Sequence, residues 1–308
     1  MKNLFIFLVF PGFLFTAVAG MMASWLERKV TARIQWRVGP PWYQSIADTL
    51  KLLGKETIVP RGCSRTTFLL APFVGFAGVI LISSIIGAIG LNPHRSFIGD
   101  IIVLIYLLIL PPLSLIVGGA ASRNPLASLG VSREMKIMIA YELPFILAIC
   151  IPVIKGGMSI SLGAIILFQH AHGSFLWNWS CMLAFIVALL CVQAKLGFAP
   201  FDIAEAETEI NAGPLIEYSG VLLAIFRLTK MMVLVVLPLV LITLFAGGVQ
   251  FHGWGIVVCV LEYLAILLLI IVIKNTNPRL RIDQALTFFW GPVTILAGAG
   301  VVLALMGH

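Results

Sequence analysis

The sequence predicts an all-α, polytopic membrane protein: eight membrane-spanning helices and one amphipathic helix lying along the membrane surface. Three observations predict it. Of 308 residues, 60% are hydrophobic and only 11% are charged, against about 25% charged in soluble domains. The mean hydropathy, +1.08, is far above the soluble range. The apolar residues form runs of about 17–25 without strand-like alternation, the signature of bilayer-spanning helices and not of barrel strands. No long polar segment divides these runs, so residues 1–308 read as a single integral membrane domain.

The runs follow in order. The first, Leu4–Trp25, continues into a basic segment, which suits a retained helix better than a cleaved signal peptide. The second is Phe68–Leu91, the third Ile98–Ala121 and the fourth Lys136–Ile154. The fifth is Trp179–Phe198, the sixth Tyr218–Phe245, the seventh Gly255–Ile273 and the eighth Leu286–Met306. Between the first two, Trp42, Tyr43, Ile46, Ala47, Leu50 and Leu53 recur at helical spacing, opposite Gln44, Ser45, Asp48, Lys51 and Lys55. That pattern predicts a helix in the interface plane, opened by Gly39-Pro40-Pro41. Ser159–Ser174 is too short and too polar to span and predicts a second, short interfacial helix.

The net charge of +7 belongs to orientation, not to nucleic acid. Fifteen of the twenty Lys and Arg residues fall in loops on one side, and only Lys2, Arg95 and Lys155 on the other. The basic side is therefore expected to be cytoplasmic, with both termini outside the cell membrane.

On that cytoplasmic side, Phe201–Gly220 gathers Asp202, Glu205, Glu207, Glu209 and Glu217. If Asp202–Glu209 is helical, Asp202, Glu205 and Glu209 share a face, where like charges raise one another's pKa and suit proton relay. The alternative is a solvated loop. Four more ionisable residues fall deep inside spans, six or more residues from their ends: Glu142, Arg227, Lys230 and Glu262. Such groups pair or line a wet path; Glu262 with Lys230 is one conceivable pair. Pro144 beside Glu142 frees a backbone carbonyl in the fourth span. Together they predict a hydrophilic axis through the bundle.

Other chemistries find little support. Cys63, Cys150, Cys181, Cys191 and Cys259 have no metal-ligand spacing. His170 and His172 alternate in an outer loop, a weak metal signal, and His94, His252 and His308 read as solvated. There is no phosphate-binding, dinucleotide, HExxH or GxSxG motif. A free-standing transporter would be expected to carry an internal repeat, and the halves show none.

The segment LERKVTARIQWRVGPPWYQSIADTLKLLGKE resembles the first cytoplasmic loop of the ND1 family, the NADH dehydrogenase subunit 1 proteins that include the membrane anchor of respiratory complex I. YELP at Tyr141–Pro144 is similar to that family's YEIP, and FDIAEAETEINAGPLIEYSG to its acidic loop. The short Gly39-Pro40-Pro41 connection, AGPLIEYSG, Ser132-Arg133-Glu134 and RLRIDQ are closer to the related subunit of group 4 membrane-bound nickel–iron hydrogenases and formate hydrogenlyase. These departures count against a quinone site of the complex I kind.

The resemblance implies a non-catalytic anchor with no cofactor of its own. The nickel–iron centre and iron–sulfur clusters would sit in partners: hydrogenase large and small subunits and an iron–sulfur subunit. Antiporter-like membrane subunits would carry protons or sodium. By motif, Glu142, Glu205, Glu207, Glu209 and Glu217 are expected to couple redox chemistry to ion movement. Asp202 lies in the same loop, and Arg227, Lys230 and Glu262 are added by depth. Glu27, Arg28, Arg33 and Arg37 are expected to dock the peripheral subunits. The alternative is the quinone-site subunit of complex I, or the equivalent in a sulfur-reducing relative.

Overall fold

A computed structural model describes residues 6–205, 207–251 and 253–307, apart from the side chains of Glu207 and Thr208. Lys2, the Leu4 start of the first run, and His252 and His308 lie outside the described residues.

The described residues are helical, turn or loop, with no strand. The helices are α1 (Phe13–Ile34), α2 (Gln44–Leu53), α3 (Arg65–Leu91), α4 (Asp100–Ala121) and α5 (Pro125–Lys155). After them come α6 (Leu162–His172), α7 (Trp179–Lys195), α8 (Gly220–Ala246), α9 (Trp254–Thr276) and α10 (Ile282–Leu305). Counting the turn of helix before α1, seven of these are long and apolar enough to cross a bilayer. The exception is α7, where the sequence predicts an eighth span. Its 17 residues measure about 25 Å. It stops at Lys195 because the chain turns through Gly197 at φ +59°.

Two boundaries differ from expectation. α5 starts at Pro125, well before Lys136, because Asn124 caps it by accepting the Leu126 N–H at 2.9 Å and Pro125 suits its first position. Residues 201–205 of the acidic stretch are not helical, so Asp202, Glu205 and Glu209 do not share a helix face. Its carbonyls are taken from outside the loop: Gln193 Nε2 donates to Ala199 O at 2.7 Å and the Leu280 N–H to Pro200 O at 3.0 Å. Arg279 donates to Asp202 O, and Arg133 to Ile203 O at 3.4 Å. Donors from α7, α5 and the α9–α10 junction thus replace the i→i−4 ladder.

The core forms around α8, the most buried span, against α1, α3 and α2. α3 pairs with α4, and α5 packs on α7 and α10. Among lipid-like surroundings, close approach of small residues replaces the hydrophobic effect as the glue. At Gly20 a Cβ would stand 2.7 Å from Met231 O, so only glycine lets α1 reach α8. α8 ends in a π turn, Ile242–Ala246, whose Leu244 carbonyl accepts from buried Gln169 Nε2 at 3.0 Å. α6 is partly buried rather than purely interfacial. His170 Nε2 lies 2.9 Å from Gly247 O, and His172 stacks on Phe168.

α2 behaves as an interfacial helix. Ser45, expected on the polar face, is instead buried, on the helix that packs against α1 and α8, while Trp42, Tyr43, Leu50 and Leu53 remain exposed. Trp25 Nε1 donates to Pro40 O at 3.2 Å, and Arg28 pairs with Asp48 at 3.4 Å, fixing α2 to the end of α1.

Candidate functional site, a charged cavity inside the bundle

Between α1, α3, α4, α5, α8, the end of α7 and the 196–219 loop lies a cavity of about 530 Å³. It is lined by Val79 and Ile82 of α3, Leu108 of α4 and Phe201 and Tyr218 of the loop. Ile82 is 17 residues from the Arg65 end of α3, about 26 Å along the axis, so the cavity runs deep. Its walls are not only apolar. Glu27, Arg28, Glu134, Lys195, Asp202, Glu205, Arg227 and Lys230 all line it.

Most of these charges are paired. Lys230 of α8 reaches Glu205 of the loop at 2.6 Å. Lys274 of α9 reaches Glu27 at 2.6 Å. Arg279 holds Asp202 at 3.1 Å, at the junction of α9 and α10. Lys195 is 3% exposed and contacts Glu142 of α5, 15% exposed, at 2.6 Å. The ammonium also lies 4.7 Å from the ring centres of Tyr141 and Phe145, a cation–π setting that helps hold a desolvated charge. Lys195 belongs to the cavity wall and Glu142 lies behind it, so the ammonium bridges the two. Tyr141 Oη and Glu142 Oε2 are buried with no hydrogen-bond partner among the described residues.

The expected residues divide accordingly. Asp202, Glu205, Arg227 and Lys230 are brought together at the cavity, and Glu142 joins them through Lys195. Lys230 pairs with Glu205, not with Glu262. Glu209 stands outside the cavity, 2.6 Å from Arg133 Nη1. That donated hydrogen bond and the guanidinium charge hold its carboxyl below the ordinary value of 4.5, the reverse of mutual raising by like charges. Glu217 accepts from Asn124 Nδ2 at 2.5 Å at the head of α5. Glu262 is half-buried on α9, away from the cavity lining. The Glu207 side chain lies outside the described ones. Of the docking residues, Arg33 and Arg37 are exposed and Arg28 partly so, but Glu27 is buried and turned inward to Lys274.

Two cavity residues are not picked out by hydropathy and motif. Glu134 falls in a stretch whose charges read as loop; the Asn124-Pro125 start signal, followed forward, puts it on the wall of α5. Lys195 reads as a loop cation, although it occupies the last turn of an apolar helix. Among the described residues no group of three His, Cys, Asp or Glu is arranged to hold a metal ion.

A family model described as NADH dehydrogenase matches residues 5–305. The chain belongs to this NADH dehydrogenase family. Its fold is also similar to a chain of the membrane-bound sulfane sulfur reductase, described as an archaeal respiratory membrane complex, at 29% identity and a TM-score of 0.89. The match covers 99% of this chain and 100% of that one. The protein is thus a membrane subunit of a complex I-like respiratory complex.

Proposed function

We propose that this subunit anchors a peripheral electron-transfer module to the cytoplasmic membrane and couples its chemistry to proton or sodium movement. The observation that carries this reading is the cavity. It sets Glu134, Glu205, Lys230 and Lys195 around one space deep in the bundle, and Lys195 links that space to Glu142. Ionisable groups at such depth are retained where they pair or line a conducting route. Here they do both. A change of charge at one carboxylate frees its ammonium partner for the next, so protonation at the mouth propagates inward as an exchange of ion pairs.

In this reading the chain holds no redox cofactor. A nickel–iron centre and iron–sulfur clusters belong to hydrogenase-type large, small and iron–sulfur subunits. Arg33 and Arg37, exposed at the end of α1, steer that module onto the membrane, and antiporter-like subunits continue the ion path. Glu209 and Glu217, off the cavity, form the outer, partner-facing part of the acidic loop, and Glu207 is assigned to the same coupling role by motif. The excess of basic residues in the loops on that side supports a cytoplasmic position for this face, with both termini outside. The likeness to a sulfane sulfur reductase chain favours a sulfur compound as the terminal acceptor as a second reading, with the same coupling role for this subunit.

The test is Glu142→Gln in the purified complex reconstituted into vesicles. Electron transfer should persist, while ion uptake per electron falls by about tenfold or more. Lys195→Met, which removes the bridge, should behave alike. Normal uptake in both variants would refute the coupling role.

A further inference from the structure

α9 is the most apolar span and among the least covered, packing only along one side against α1, α7 and α8. Its inward face is Cys259, Ile266, Leu267, Ile270 and Ile271, all buried. On its flank, Val258, Glu262, Ala265, Leu269 and Val272 follow one another at spacings of four, three, four and three. Val258, Ala265, Leu269 and Val272 are exposed and Glu262 is half-buried. That spacing is a heptad seam, the pattern by which one helix receives another. Ala265, one turn from Glu262, lets a neighbouring backbone approach closely.

Glu262 lies eight residues from the Trp254 end of α9, about 12 Å along it. Among the described residues its carboxyl makes no hydrogen bond or ion pair. Of the lysines on the elements α9 packs against and on α9 itself, Lys195 is paired with Glu142, Lys230 with Glu205 and Lys274 with Glu27. A lone carboxyl facing hydrocarbon is strongly unfavourable, and a carboxyl within a helix seam is stable when the partner helix supplies a donor. A single polar residue in such a seam also fixes register and partner.

We propose that, in the assembled complex, the Val258–Val272 seam of α9 is covered by a membrane-spanning helix of a neighbouring subunit, which brings a Lys or Arg side chain to Glu262. The occupant is a different subunit with a cation at that depth, because the seam's one polar group is an acid; a second copy would oppose two acids. This surface rests on the chain being one subunit of a membrane complex, and gives Glu262 a role apart from the ion path.

The test uses the intact complex. A photo-crosslinking residue replacing Ala265 should capture one identified membrane subunit, at a point within a turn of a Lys or Arg. The same probe at Val260, exposed off the seam, should capture lipid. Glu262→Leu should then strip that subunit from the detergent-purified complex by more than about tenfold, because it strands the partner's cation. Reversing both charges, with Glu262→Lys and the partner's cation changed to Glu, should restore it. Capture of lipid alone or of a second copy at Ala265 would overturn the proposal, as would unchanged subunit content in Glu262→Leu. Those results inside a complex that retains its other membrane subunits sink only the seam. A chain that purifies with no other membrane subunit would sink the reading of it as a complex subunit.

Discussion

Glu209 and Arg133 meet at the surface, 2.6 Å apart, where the loop crosses α5. Arg133 also donates to Ile203 O, so one guanidinium ties two points of the loop. Because the carboxyl of Glu209 titrates below the ordinary 4.5 when the loop is seated, its contribution is complete above that value. It is lost only as pH falls through the lower, seated value. Amide exchange of the Glu207–Ile210 turn should therefore be flat from about pH 8 to pH 5 apart from intrinsic chemistry, and should rise in more acid solution. Arg133→Gln should remove that acid-dependent rise and leave exchange fast throughout. The like-charge expectation, with carboxyls protonating near neutrality, would instead put the rise near pH 7. The acidic residues are legible in the sequence as a cluster, but their partners are not: Arg133, Lys230 and Arg279 come from positions 25 to 77 residues away.

At the scale of elements, the apolar runs are plain in the sequence because each is a continuous solvent-incompatible stretch, and the interfacial helix because its apolar positions keep a 3.6-residue period. What hydropathy hides is where charged residues continue a helix. Arg133 and Glu134 make the first turns of α5 read as loop, yet a helix lining a polar cavity tolerates them. The loop's failure to form a helix is hidden too, since it depends on Gln193 and Arg279 reaching its carbonyls, and on Gly213. There φ is +53° and a Cβ would overlap Ala204 O. α1 and α8 meet through Gly20, and there the consequence of substitution is direct. Gly20→Val should push α1 from Met231 and destabilise the subunit by about 1–3 kcal/mol, the range for overpacking. A lower melting temperature of the detergent-solubilised complex would register it. Gly20→Ala should lower it as well, since even one Cβ meets backbone. Gly298 of α10 is the contrast: a Cβ there meets nothing within 4 Å, so Gly298→Ala should leave the melting temperature unchanged or raise it slightly.

At the scale of the whole molecule, the exposed basic end of α1 is where the peripheral module is expected to land. Arg33→Ala together with Arg37→Ala should lower the amount of soluble subunit retained on washed membranes, with the largest loss in high salt, because exposed charge pairs are screened. Retention equal to the parent complex at every salt concentration would contradict that docking role. The basic loops and the order of apolar runs make the layout of the bundle legible. The cavity is not, because its walls are assembled from helices and a loop that are far apart in the chain. One dimension of that cavity carries a further consequence. It reaches Ile82, leaving nine residues of α3 before Leu91, about 14 Å of helix. Charged walls admit solvent, and a solvent-filled recess stays close to the electrical potential of the compartment it opens to. With solvent filling the recess, the membrane voltage would fall mainly across that remaining slab, so a charge shifted by a few ångströms at the floor of the recess would cross a large share of the field.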